Sequence, residues 1–225
     1  MIQRLEKQRR DFFAAVSHEL KTPITILKGQ LESMLIGIGD YRNHEKYLPQ
    51  SLAAVEDMEY LVKEILSVAK MEAMGLEGSM ADISIANLLK KVITAISLLA
   101  QEKQIEIQVE LLEDVNTAVQ PQLFEKAISN ILINAVRHSP AGARVITRLS
   151  KKSLTVENTG VTISQEDLPY MFTPFYRVDK SRNRATGGSG LGLYIVRTIL
   201  DLHKLSYGIE SLQDSVLFTV NLNQN

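Results

Sequence analysis

The 225-residue sequence has no cysteine and no tryptophan, and aromatic residues make up only 6% of it. Without thiols there can be no disulfides and no thiolate metal sites, and the composition suits a reducing compartment. Neither sign of charge dominates: 25 lysines and arginines stand against 26 aspartates and glutamates. That balance signals no bulk electrostatic partner, and nucleic acid binding is not expected. No run of roughly 18 apolar residues occurs, and the opening MIQRLEKQRRD is too charged and too helical for a signal peptide. The chain as given is expected to be soluble, which leaves room for it to be the soluble part of something larger.

What the sequence does have, over residues 1–73, is helix. Phe12 or Phe13, Val16, Leu20, Ile24 or Leu27, Leu31 and Leu35 fall at steps of three and four, drawing an apolar stripe. Gly37, Gly39 and Asn43 then supply a turn. Leu48, Leu52, Val55, Val62, Leu66 and Ala69 draw a second stripe, so the segment is expected to be a helical hairpin. Two such stripes are poorly covered by each other alone, and pairing with a second copy into a four-helix bundle is the ordinary solution. A dimerising stalk with no chemistry would give the same pattern.

The first helix carries VSHELKTPIT, in which His18, Glu19, Thr22 and Pro23 interrupt an otherwise plain amphipathic pattern. Ala14, His18, Lys21 or Thr22, and Thr25 lie away from the stripe, so His18 faces water. A surface histidine needs no function. A neutral imidazole is nevertheless a nucleophile, an adjacent carboxylate such as Glu19 can orient it and accept its proton, and Thr22, one turn on, can hold a water or a phosphoryl oxygen. Pro23 predicts a bend just past the histidine, as a hinge or as a simple packing irregularity.

Glycines and small residues at 71–84 interrupt the helical pattern, placing a linker at 74–82 and a second domain at 83–225. There the spacing predicts a helix over 84–103, a strand in IEIQVEL, a helix opened by Pro121, a strand pair in RVITRLS and SLTVENTG, and a glycine loop running into a helix over 185–203. Strands in SYGIES and LFTVNL follow. The class is α+β, with helices covering one face of a mixed sheet. Asn130 and Asn134 sit four apart, one turn before Arg137 and His138. Such a face offers a carboxamide oxygen to Mg²⁺ and cations to phosphate, or it is idle surface. Gly187, Gly188, Gly190 and Gly192 let backbone approach a polyphosphate where a helix begins, though a flexible linker has the same composition. No Walker lysine follows, and the run fails as a Rossmann fingerprint because Leu193 stands where its last glycine belongs.

Five segments in one order carry a resemblance over essentially the whole chain: FFAAVSHELKTPIT, NILINAVRHS, VENTG, MFTPFYRVDKSR and GGSGLGLYIV. They resemble the phosphoacceptor box, N box, first glycine box, F box and second glycine box of bacterial two-component sensor histidine kinases. The wording of VENTG and PFYRVDKSR is similar to Gram-positive sensors, including those of the vancomycin-resistance type. The resemblance implies an N-terminal hairpin forming a dimeric four-helix bundle and a Bergerat-type α/β sandwich that binds ATP and Mg²⁺. It implies autophosphorylation of His18, with Glu19 assisting proton transfer, then donation to an aspartate of a cognate response regulator. Thr22 would serve the reverse dephosphorylation. Asn134 would be the Mg²⁺ ligand, supported by Asn130, with Arg137 on phosphate and His138 near the nucleotide. Asn158 and Gly160 would meet the adenine, Gly188, Gly190, Leu191 and Gly192 would form the phosphate loop, and Phe172 and Phe175 would anchor a lid over 173–189. An upstream transmembrane module would place the full protein in the bacterial membrane, with this part cytoplasmic.

The chain departs from the pattern at four positions. Asn158 stands where an aspartate usually accepts from the adenine amino group; an amide oxygen can accept the same hydrogen bond without charge. Thr162 replaces a second glycine, and Lys204 and Leu205 replace a glycine pair after His203. Two rival readings keep the fold but not the chemistry: a regulatory dimer in which His18 is dispensable, and an ATPase that needs a water-activating carboxylate, for which the N-box region offers Glu125, a turn ahead of the amides, with no obvious reason to place it on water.

Overall fold

A computed structural model describes residues 2–76, 80–178 and 188–223, without the side chains of 2–9 and 74. The chain divides into two compact units, Met1–Lys70 and Met71–Asn225. In the first, α1 (Ile2–Ile36) and α2 (His44–Met74) are joined by a 3₁₀ turn at Gly39–Arg42. α1 stops at Gly37, which adopts φ +64° while Gly37 and Ile38 donate N–H groups to the carbonyls of Met34 and Ser33. This is the paired bonding of a Schellman stop, at a backbone angle glycine adopts freely. Asn43 opens α2, its side-chain oxygen accepting from the Lys46 N–H. α1 remains helical through Pro23.

The stripes drawn from sequence cover each other only in part, as expected. Phe12, Val16 and Met34 of α1 are buried, as are Ser51, Ile65 and Val68 of α2, and Ser51 donates to the Gln30 side chain across the hairpin. The expected α2 stripe of Leu48, Leu52, Val55, Val62 and Leu66 is exposed, as are Ile24, Leu31 and Leu35. α2 has two interleaved apolar repeats, one through 54, 58, 61, 65 and 68 and one through 48, 52, 55, 62, 66 and 69. Neighbouring positions point about 100° apart on a helix, so one partner helix covers only one of the two repeats.

In the second unit the elements are β1 (Ala81–Ser84), α3 (Ile85–Glu102), β2 (Glu106–Leu111), β3 (Asn116–Val119), α4 (Pro121–His138), β4 (Arg144–Leu149), β5 (Ser153–Thr159), α5 (Gly192–Leu202), β6 (Tyr207–Ser211) and β7 (Ser215–Asn221). Five strands form one sheet in the order β2-β4-β5-β7-β6, parallel between β2 and β4 and antiparallel elsewhere. The alternation of Leu154, Val156 and Asn158 on β5 faces the helices, while Thr155, Glu157 and Thr159 face outward. One core joins α3, α4 and α5 to the sheet through residues such as Leu89, Phe124, Leu132, Leu154, Val196 and Phe218. The fold is thus α+β with helices on one face of a mixed sheet, as the pattern predicts. The antiparallel pair β1 and β3 went unforeseen, since four-residue strands hold too little alternation to stand out.

Ser84 caps α3 by accepting from the Asn87 N–H, and Pro121 occupies the first turn of α4, where its missing N–H costs nothing. α3 and α5 end like α1, yet with Gln104 at φ +56° and Lys204 at φ +55° in the left-handed position. Lys204 and Leu205 donate to Asp201 and Leu200. The residues replacing the expected glycine pair therefore still make a complete Schellman stop, with Leu205 buried under it.

Candidate functional site

On α1, the side chains of His18 and Glu19 are 81% and 48% exposed, with Nδ1 lying 3.7 Å from Oε1. That distance is too long for a hydrogen bond and places the carboxylate beside Nδ1. The Thr22 hydroxyl donates to the carbonyl of His18 at 3.3 Å. It turns back on the same helix, as Ser17, Thr25 and Ser33 do.

In the second unit, α4 and α5 bring Asn130 and Arg137 beside the glycines. A Cβ placed on Gly192 would stand 3.6 Å from Asn130 Oδ1, and one on Gly188 would stand 4.0 Å from an Arg137 guanidinium nitrogen. Asn130 and Asn134 are half-buried while Ala127, Ile131 and Ala135 are buried, so the carboxamides edge the core side of α4. Gly187 lies outside the described residues. Gly188 and Gly190 lead through buried Leu191 into α5 at Gly192.

The C-terminal end of α4 is rich in cations. His138 is exposed at its edge, yet partial enclosure and then the charges of Arg177, Lys103 and Arg137 hold its pKa below the ordinary imidazole value. Lys103 also donates from Nζ to the carbonyl of Arg137, at the end of a helix where a cation complements the dipole. Lys103 and Arg177 were missed from sequence because they belong to the end of α3 and to the segment after β5, far in the chain from Arg137.

At the end of β5, Asn158 is only 7% exposed and faces the helix layer, next to Val145 and Val216 on the flanking strands. Gly160 follows with φ +74°, and a Cβ there would come within 2.9 Å of the Pro140 ring. Glycine is thus required at Gly160 by both backbone angle and space. Thr162 is exposed and makes no part of that contact.

Phe175 and Gly190 approach each other closely, backbone to backbone. Phe175 has φ +63°, and its N–H donates to the Gly190 carbonyl at 3.0 Å. Gly190 has φ +72°, and a Cβ there would fall 2.8 Å from the Phe175 Cα. Phe172 is anchored differently, edge-on to Tyr207 and Phe218. Of the expected 173–189 lid, residues 179–187 lie outside the described residues.

Two further side chains gain definite roles. His203 is 2% exposed; its Nε2 accepts from the Gln120 N–H and its Nδ1 meets the Ile199 carbonyl. It is a core histidine tying the end of α5 to the start of α4. Glu125, the carboxylate one turn ahead of the amides, is paired with Lys91 at 2.7 Å.

Among the described residues no cluster of three or more histidines or carboxylates forms a protein metal cage. The donor set instead offers amide oxygens, cations and open glycine backbone, which fits a metal carried on phosphate oxygens. No helix among the described residues is long and apolar enough to cross a membrane.

Two family models match the chain: the His Kinase A (phospho-acceptor) domain over residues 8–73, and the histidine kinase-, DNA gyrase B- and HSP90-like ATPase over residues 118–224. The chain is 36% identical to sensor protein VanSB of Enterococcus faecalis over 222 residues, covering 97% of the chain and 50% of that protein. It is 31% identical to sensor histidine kinase CusS of Escherichia coli K12, covering 99% of the chain and 48% of that protein. The chain thus spans about half the length of the curated relatives it matches. Among solved structures, Acinetobacter baumannii histidine kinase AdeS matches with a TM-score of 0.72 at 24% identity, over 92% of this chain and 98% of that one. Histidine kinase ThkA, in complex with response regulator protein TrrA, matches with a TM-score of 0.73 at 20% identity, over 100% of this chain and 66% of that one.

Proposed function

Because the chain belongs to the two-component sensor histidine kinases, joining a phospho-acceptor hairpin to an ATPase-type domain, we propose that it phosphorylates its own His18 from ATP and passes the group to an aspartate of a response regulator. The observation that carries this reading is the division of labour: an exposed imidazole beside a carboxylate on α1, and, in the other unit, Asn130 and Arg137 of α4 set beside the glycine backbone that leads into α5.

In this mechanism His18 Nε2 attacks the γ-phosphorus as its bond to the β,γ-bridging oxygen breaks, and the Nδ1 proton of the resulting imidazolium passes to Glu19. Mg²⁺, when bound, neutralises the charge spreading over the phosphate oxygens. Asn134 would hold it through its amide oxygen, with Asn130 in support. Arg137, His138, Lys103 and Arg177 form the cationic end that holds the polyphosphate, and Gly188, Gly190, Leu191 and Gly192 present backbone N–H groups to it. Asn158 accepts from the adenine amino group beside Gly160, and Phe175 anchors the loop. Thr22 releases the His18 carbonyl to position water when the regulator is dephosphorylated.

The domain limits follow this division: 1–73 for dimerisation and phosphotransfer, 74–82 as linker and 83–225 for ATP. The exposed Leu48, Leu52, Val55, Val62 and Leu66 support a homodimer in which two hairpins make a four-helix bundle. In the full-length protein, the hairpin would take its signal from an upstream transmembrane sensor in the bacterial membrane, with this part on the cytoplasmic side. Glu125, which the ATPase alternative would use, pairs with Lys91 instead of standing free beside the amides.

Incubation with Mg²⁺ and γ-labelled ATP should give an acid-labile, base-stable phosphoprotein, and His18→Gln should abolish the label while ATP binding persists. Retained label in that variant overturns the assignment of His18. Wild-type protein that binds ATP but takes no label favours the regulatory reading.

A further inference from the structure

Phe175 poses a question that nucleotide binding alone does not answer. A phenylalanine at φ +63° occupies a region that disfavours side chains with a Cβ, and such a conformation persists only where the surroundings over-determine it. On one side stands Gly190, pressed backbone to backbone. On the other side, the next residue, Tyr176, donates its hydroxyl to Asp167 Oδ1. The second oxygen, Oδ2, accepts from the Ser164 hydroxyl at 2.7 Å, and the Asp167 N–H donates back to Ser164 Oγ. Both carboxylate oxygens are therefore engaged, and the carboxyl is locked to the turn at 164–167. The Tyr170 ring stacks on Tyr176 at 5.5 Å, and the Tyr170 N–H donates to the Asp167 carbonyl. These contacts fix Tyr176 from two directions one residue away from the strained position.

We infer that Asp167 is a positioning residue for the phosphate loop: through Tyr176 it holds Phe175 in its left-handed conformation, and Phe175 in turn holds the Gly190–Gly192 backbone in place. The order of causes runs from a surface turn, through one carboxylate and one phenol, to the N–H groups beside Asn130. The same contacts hold the Asp167 carboxyl below the usual carboxylate range, through the Tyr176 hydroxyl first and Ser164 second, so the anchor is in place across neutral pH. The inference rests on the nucleotide reading of the glycine loop, and its first test is independent of that reading.

In the nucleotide-free full chain, Tyr176→Phe removes only the hydroxyl. It should speed hydrogen exchange at the Phe175 amide, which donates to Gly190, by about tenfold or more, while amides inside α4 and β5 keep their wild-type rates. Asp167→Asn should do the same to a smaller degree, and the double variant should match Tyr176→Phe, because both changes act through one bond. Unchanged exchange at Phe175, or additive effects in the double variant, overturns the inference whatever the protein binds. With Mg²⁺ and ATP, the KM for ATP should rise about fivefold in Tyr176→Phe, with kcat at saturation within about twofold of wild type. A kcat that falls together with the melting temperature would mean that the hydroxyl supports the fold at large, and that also overturns it. If the wild type binds no ATP, the nucleotide reading fails while the exchange result still decides the role of Asp167.

Discussion

The two units bury apolar surface in opposite ways. The α/β unit closes on itself: Leu89, Phe124, Leu132, Leu154, Val196 and Phe218 lie in one continuous core. The hairpin hides one seam and leaves a whole second repeat of α2 in water, from Leu48 to Leu66. Size explains part of the contrast, since two helices have one mutual interface whereas a sheet faced by three helices has a true interior. The α/β unit thus encloses its own core, whereas the hairpin leaves a row of apolar side chains exposed. The chemistry sits accordingly, with His18 held out in solvent and the amide and glycine cluster set against a rigid core.

The sharpest way to break this comparison is the same substitution in both units. Leu132→Ala, at a position with no exposure, should cost about 3 kcal/mol or more through lost transfer energy and a cavity. Leu66→Ala, at a position 63% exposed, should cost the monomer less than about 0.5 kcal/mol yet weaken self-association measured by sedimentation. If Leu66→Ala leaves association unchanged, the exposed stripe does not carry the dimer.

A smaller effect concerns the buried His203, whose pKa is lowered from 6.5 by burial, partly opposed by its bond to the Ile199 carbonyl. With a native pKa below the unfolded value, the unfolded chain takes up the proton first. The stability that neutral His203 contributes is therefore complete above about pH 6.5 and is lost as pH falls from there toward the native pKa. His203→Gln has no such titration. Denaturant melts of wild type and variant should converge between about pH 7 and pH 5, and parallel curves would show that His203 is not the group responsible. His138 titrates downward too, but it is common to both proteins and cancels in the difference.

The smallest effect should have the opposite sign. Lys204 holds a left-handed angle that Gly37 adopts freely at the matching stop of α1, so Lys204→Gly should stabilise the α/β unit by about 0.5–1 kcal/mol. A calorimetric melt that moves downward instead would mean that the lysine side chain makes a compensating contact.

Much of this molecule was legible because its signals are local. The apolar beat of α1, the proline opening α4, the alternation in IEIQVEL and SLTVENTG, and the glycines leading into α5 each declare an element within a few turns of chain. The motif residues were legible for the same reason, and they gave the family before any coordinate. The reading failed where a choice depended on a distant partner. Both repeats of α2 satisfy the helical period equally, so the sequence could not say which one α1 would cover.

By itself, then, the order of residues determined which segments are helix or strand, that His18 lies off the apolar stripe, and that amides and glycines suited to a polyphosphate occur in the second half. These follow from periodicity and backbone allowance, which act between neighbours in the chain. Only the tertiary structure decided that Arg137, Lys103 and Arg177 gather beside His138, that Glu125 is taken by Lys91, that His203 is a core residue, and that Phe175 is pinned between Gly190 and the Asp167–Tyr176 bond. Each of those depends on side chains from separate elements meeting at a few ångströms, and the meeting is set by how the helices pack on the sheet.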